Sequence, residues 1–178
     1  MKSLFRDTAV VVIIAAVIIF GLQTVAQKFV IEGPSMYATL QDDQQLLVNK
    51  LVYRIHPPVR GDIVVFKPPD HLGEEYIKRI IGLPGEMVVI AEGTVYIYKP
   101  DGNYFTLDEA YVPEPARRNF EGGVIPANNY FVLGDNRNNS SDSRGGWTVP
   151  AENIIGKAWL SVWPLDRWGL VSNGLAIP

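Results

Sequence analysis

Tyr76-Ile77-Lys78-Arg79-Ile80-Ile81-Gly82-Leu83-Pro84-Gly85-Glu86-Met87-Val88-Val89-Ile90 holds two apolar, β-branched runs separated by a turn of the Gly-Leu-Pro-Gly type. Isoleucine and valine suit a pleated strand, and a proline without an amide hydrogen stops either run from continuing as helix. The stretch therefore predicts strand, turn, strand. In the first strand Tyr76, Lys78 and Ile80 point to one face and Ile77, Arg79 and Ile81 to the other. One of the two adjacent basic residues must then face the apolar side, or the strand must lie at a sheet edge where both are solvated. A lysine pressed against apolar neighbours loses proton affinity, because desolvation disfavours the ammonium. Its neutral amine can then act as a general base, so Lys78 reads either as a candidate base or as a solvated edge lysine.

The same pattern recurs outward along the chain. Leu46-Leu47-Val48 and Ile63-Val64-Val65-Phe66 are short apolar runs bounded by Asp, Gly and Pro, with Pro57-Pro58 breaking the chain between them. Thr94 to Tyr98, Tyr130 to Leu133 and Ile154 to Val162 are further strand candidates. Short strands punctuated by 13 prolines and 16 glycines, with almost no helical period, predict a mainly β fold of antiparallel sheets. Residues 99–124 carry Asp101-Gly102-Asn103 and few apolar runs and read as a surface excursion. About 150 residues are enough for one domain with a sizeable core, here 27–178.

Ahead of that domain, 1–7 form a short basic start, and 8–26 run without a charge. Nineteen helical residues at about 1.5 Å each span roughly the hydrocarbon thickness of a bilayer. Lys2 and Arg6 would keep the N-terminus cytoplasmic, sending the rest outside. A cleavable signal peptide ending at Thr24-Val25-Ala26 is the competing reading, and both readings export the domain. Setting aside Lys2, Arg6 and Asp7 from 16 basic and 19 acidic residues leaves 14 against 18, no footprint for nucleic acid. With no cysteine, disulfides, thiol nucleophiles and Cys-type zinc sites are excluded. His56 and His71 have no metal-ligand spacing, so neither a metal nor another cofactor is expected.

Just after the apolar segment comes Gly33-Pro34-Ser35-Met36-Tyr37-Ala38-Thr39-Leu40. Pro34 biases Gly33 away from helix and puts Ser35 on a bend. An unassisted hydroxyl is a poor nucleophile, and a serine that reacts needs a group to take its proton.

Ser35 to Leu40, Gly61-Asp62-Ile63-Val64-Val65-Phe66, Tyr76 to Glu86 and Gly134-Asp135-Asn136-Arg137-Asn138-Asn139-Ser140-Ser141-Asp142-Ser143-Arg144 resemble, in order, the signature blocks of bacterial type I signal peptidases. The resemblance covers nearly the whole chain and is most similar to the small Gram-positive form. It implies a single-pass protein of the cytoplasmic membrane with a coiled antiparallel β-sheet catalytic domain on the outer side. It implies a serine endopeptidase that removes signal peptides from preproteins, with Ser35 as nucleophile and Lys78 as general base. Ser140 matches the hydroxyl that orients the lysine, and Asp142 and Arg144 match a supporting ion pair. Two departures stand out: Ala38 replaces a usual proline, which loosens the turn after Ser35, and Gly33 replaces a hydroxyl residue found in some members. Oxyanion binding would then rest on backbone N–H groups, Ser35's own amide first.

Phe29, Ile31, Met36, Leu40, Tyr76 and Ile77 match positions that line two shallow subsites. Such bulky walls admit only small side chains, which fits preproteins with Ala-x-Ala before the cut, bound as an extended strand beside Ile31 and Tyr76. The same six residues also suit an ordinary core. Trp159, Trp163 and Trp168 suit either burial or a lipid interface. Two rivals remain. An exported, non-enzymatic β-domain binding protein with a cleaved signal peptide would need no Ser35–Lys78 pairing. A Ser-Lys self-cleaving repressor would need a DNA-binding helical domain, which this chain lacks.

Overall fold

The computed structural model describes residues 8, 10–13, 25–70, 73–172 and 174. The expected lead 1–7 lies outside the described residues, and the expected membrane segment 8–26 largely does. Residues 8 and 10–13 are helical, and no helix among the described residues is long and apolar enough to cross a membrane.

From Ala26 onward the chain is mainly β. Its strands are β1 (Ala26–Val30), β2 (Gln45–Asn49), β3 (Ile63–Phe66), β4 (Tyr76–Gly82), β5 (Met87–Ala91), β6 (Thr94–Tyr98), β7 (Tyr104–Thr106), β8 (Phe120–Val124), β9 (Asn129–Leu133), β10 (Val149–Pro150), β11 (Ile154–Trp163) and β12 (Gly169–Leu170). One helical turn, α1 (Val52–Ile55), fills the gap before Pro57-Pro58. The larger sheet has eight strands in the order β1-β2-β11-β3-β4-β9-β10, with β12 added to β11. The smaller has four, β7-β6-β5-β8. Every pairing between these strands is antiparallel.

The stretch 76–90 forms as predicted, with β4 in the larger sheet and β5 in the smaller. Between them Glu86 N–H donates to the Leu83 carbonyl at 3.1 Å, while a Glu86 carboxylate oxygen accepts from Leu83 N–H at 2.8 Å. The other Glu86 carboxylate oxygen takes the Arg60 guanidinium at 2.6 Å in a buried pair. The turn is thereby stitched to the chain before β3.

β4 is not an edge strand. It lies between β3 and β9, with Lys78 in register with Val64, and Arg79 with Ile63 and Leu133. Lys78 is 4% exposed and Arg79 fully buried, which removes the reading of both as solvated edge residues. Both faces of β3 and β4 are covered, so β3 is a continuous apolar run, and β4 is one apart from the buried cations Lys78 and Arg79. Ile63, Val65 and Ile77 join Ile31, Met36, Leu40 and Leu46 in one core cluster; Val64, Phe66 and Ile80 join Tyr130 and Val132 in another.

The stretch 99–124 is more ordered than a surface excursion. It supplies β7 and β8 at the two edges of the smaller sheet and buries Leu107 and Ala116 in that sheet's core. Residues 107–119, between those strands, stay largely irregular. The strands escape a pattern reading because edge strands this short bury few side chains.

Candidate active site

Ser35 sits on the bend expected of it. Gly33 adopts φ = 84°, a left-handed value that glycine tolerates, and donates its N–H to Asp42 at 2.7 Å. Tyr37 N–H returns to the Pro34 carbonyl at 3.1 Å and Leu40 N–H to the Met36 carbonyl at 2.9 Å. Met36 and Leu40 anchor this turn in the core while Ser35 stays half-buried at the surface.

The turn is also tied down from 134–136. Asn136 N–H donates to the Ser35 carbonyl and the Asn136 side-chain amide to the Pro34 carbonyl, each at 3.1 Å. Thr39 donates to Asp135 at 2.6 Å. These ties hold the segment with Ala38 in place of the expected proline.

Lys78 reaches this serine from the interior of β4. Its Nζ donates to Ser35 Oγ and to the Ile77 carbonyl, both at 2.9 Å. Burial lowers its pKa from 10.5 to about 8, partly opposed by the Asp142 and Asp135 carboxylates, which favour the ammonium. A buried amine that shares its proton readily near neutrality, in contact with a hydroxyl on a fixed bend, can activate that hydroxyl.

The loop from Gly134 to Arg144 closes the site. Asp142 Oδ2 accepts from Gly134 N–H at 3.1 Å and takes Arg144 through two further bonds of 2.8 Å, one to each carboxylate oxygen, forming the expected Asp142–Arg144 pair. Ser140 lines the cleft, but its hydroxyl is not joined to Lys78; Oγ is buried without a hydrogen-bond partner among the described residues. Lys78 spends its observed bonds on Ser35 and Ile77, and the orienting contact expected of Ser140 is not formed.

The cleft holding Ser35 and Lys78 has a volume of about 1100 Å³. Residues 4–163 fit the family model described as "Signal peptidase, peptidase S26". The chain belongs to the signal peptidase S26 family. It is 41% identical to "Probable signal peptidase I-2" of Synechocystis sp. over 165 residues, 89% of this chain and 73% of that one. It is 41% identical to signal peptidase I of Leptolyngbya laminosa, covering 88% of this chain and 78% of the relative. Signal peptidase I U of Bacillus subtilis is 38% identical, with 88% and 86% covered.

In this signal peptidase family member the cleft wall differs from the expected set of subsite residues. Phe29, Tyr76, Ile77 and Gly33 line it. Ile31, Met36 and Leu40 do not; they are packed beneath it, exposing 0 to 2% of their surface. Ile31, Met36 and Leu40 spend their side chains on the core cluster under the serine turn, whereas Ile77 belongs to that cluster and also reaches the cleft wall. β1, which carries Phe29, is an edge strand of the larger sheet, so an extended peptide can be received against it.

Two buried ion pairs around the site have no signature in the local sequence. Arg79 holds Asp135 through bonds of 2.8 and 2.6 Å, and its guanidinium stacks on the Tyr111 ring at 3.9 Å. Arg137 holds Glu109 through bonds of 2.7 and 2.5 Å. Arg79 beside Lys78 in a central strand was the available signal, since a guanidinium buried there requires a carboxylate. Glu109 and Tyr111 carried none, because nothing local marks which loop residues fold back.

Proposed function

We propose that the chain is a membrane-bound serine endopeptidase that cleaves signal peptides from exported preproteins with a Ser35–Lys78 dyad. The single observation that supports this most is the 2.9 Å contact between Lys78 Nζ and Ser35 Oγ, made by an amine whose burial lowers its pKa to about 8.

In the reactive state Lys78 is neutral and its lone pair accepts the Ser35 hydroxyl hydrogen. Ser35 Oγ attacks the scissile carbonyl as the proton passes to Nζ, and the oxyanion is met by backbone N–H groups, that of Ser35 first. The Lys78 ammonium then returns the proton to the leaving amine, the C–N bond breaks, and an ester to Ser35 remains. Water attacks that ester with Lys78 again taking a proton, and the proton passes to Ser35 as its oxygen departs. Ser140 would turn onto the amine during these steps, and Asp142 with Arg144 would keep the loop closed.

Small residues before the cut, of the Ala-x-Ala type, suit the space between Phe29 and Ile77, with the peptide extended along β1. Residues 8–26 would anchor the chain in the cytoplasmic membrane, with 1–7 inside and 27–178 outside, and Trp159, Trp163 and Trp168 would touch the lipid interface. The test is cleavage of a preprotein carrying Ala-x-Ala by the detergent-solubilised chain. Ser35→Ala and Lys78→Met should each abolish cleavage, while His56→Ala and His71→Ala should not. Full activity in Lys78→Met would overturn the mechanism.

A further inference from the structure

Asn138, Ser140 and Ser141 form a rim between the cleft that holds Ser35 and a second cavity of about 580 Å³. These rim residues line both spaces. The far cavity is bordered by four arginines and by one carboxylate, Asp142. Two of the four are neutralised: Arg144 by Asp142 and Arg137 by Glu109. Arg117 has an exposed partner in Glu114 at 3.0 Å, a pair open to solvent and weak for that reason. Arg118 is exposed and has no ion pair among the described residues.

These cationic side chains are carried on a backbone fixed to the rim itself. Arg117 N–H donates to the Asn138 side-chain oxygen at 3.0 Å, and the Asn138 amide donates to the Pro115 carbonyl at 3.0 Å. In the proposed binding mode, a peptide whose small residues lie between Phe29 and Ile77 would pass Ser35 and leave over this rim. We infer that the cavity bordered by Arg117 and Arg118 is a subsite for an acidic side chain in the first few residues after the cut. This rests on the peptidase reading and adds a charge preference on the departing side. The occupant is a peptide carboxylate because the cavity shares its rim with the cleft and carries more arginines than carboxylates.

The experiment uses the full chain in a neutral detergent at low salt and three peptides that share Ala-x-Ala but carry Glu, Gln or Lys at the second and third positions after the cut. The wild-type chain should cleave the Glu peptide with a kcat/KM roughly three- to tenfold above that of the Lys peptide, the scale of one or two partly solvated charge pairs. The gap should narrow as salt is raised. Arg118→Glu, and Arg117→Glu with Arg118→Glu, should remove or reverse that order, and continued cleavage of the Gln peptide would show that the variants fold. Equal rates on the Glu and Lys peptides in the wild type, with the Gln peptide cleaved, would overturn the subsite and leave the peptidase reading standing. Failure to cleave any of the three would overturn the peptidase reading and the subsite with it. A dependence on Arg118 that arises only when phosphatidylglycerol vesicles are added would assign the cavity to a lipid headgroup and overturn the peptide assignment.

Discussion

Lys78 and Arg79 are neighbours in β4, yet Lys78 meets the Ser35 hydroxyl and Arg79 meets the Asp135 carboxylate. Strand alternation separates them: one buried cation is left near a hydroxyl with its proton loosely held, and the other is neutralised by a carboxylate. The two are joined through Thr39, which donates to Asp135 and lies in the same turn as Ser35. The reactive contact and the structural ion pair therefore hold opposite sides of one segment.

The first prediction concerns pH. Only neutral Lys78 can accept the serine proton, so activity should be lost as pH falls through its folded value of about 8, at roughly tenfold per unit below that. For stability, the depressed folded pKa means that the unfolded chain binds more protons between about 8 and 10.5, and stability should rise with pH across that window. A kcat/KM profile that stays flat down to pH 6 would remove Lys78 as the base.

Asp135→Ala would take from the buried Arg79 guanidinium the carboxylate that it holds through two hydrogen bonds. Breaking a buried pair from one side costs about 3–5 kcal/mol, and urea unfolding should show a loss of that order. Thr39→Ala removes one hydrogen bond to the same carboxylate and should cost about 1 kcal/mol. Equal losses for the two would mean that Arg79 does not depend on Asp135.

β3 and β9 were legible because an apolar run of that length between turn residues has few other uses, and β4 because Ile77, Ile80 and Ile81 flank its two cations ahead of a turn. The bend at Ser35 was legible from Gly33-Pro34 alone. Lys78 was legible as a candidate base because a strand must divide two adjacent cations between its faces, whereas its placement against Ser35 came from the resemblance and not from spacing. Arg79–Asp135 and Arg137–Glu109 were not legible, since each joins residues far apart in sequence and a charged pair leaves no periodic mark. β7 and β8 were hidden for a related reason: edge strands of three and five residues present too few buried positions to alternate visibly.

Gly134 carries the next prediction. A Cβ at this position would stand 2.5 Å from the Ser35 carbonyl oxygen and 2.6 Å from Ser140 Cβ. The serine turn and the Ser140 loop can approach each other only because no side chain lies between them. Gly134→Ala should push them apart, lowering kcat by at least tenfold while costing about 1–3 kcal/mol of stability, the usual scale of overpacking. Preproteins should still bind, since the β1 edge is untouched. A variant with wild-type kcat would show that the loop yields without moving Ser35.

The last prediction concerns the lipid contact. Trp163 and Trp168 are 51% and 61% exposed, and Leu165 and Leu170 more so, which water does not favour for so many large apolar groups in one area. They group because Leu170 pairs with Leu160 on β11, while Trp163 pairs with Gln45, itself opposite Val30 on β1. Tryptophan prefers the boundary between water and acyl chain. Trp147 differs, packing against Phe66 with ring centroids 6.1 Å apart, and serves as an internal control. In the full chain reconstituted into bilayers, variants that keep only Trp163 or only Trp168 should lose fluorescence when the lipid acyl chains are brominated, whereas a variant that keeps only Trp147 should not. Quenching of Trp147 alone, or of none, would turn this apolar corner away from the membrane.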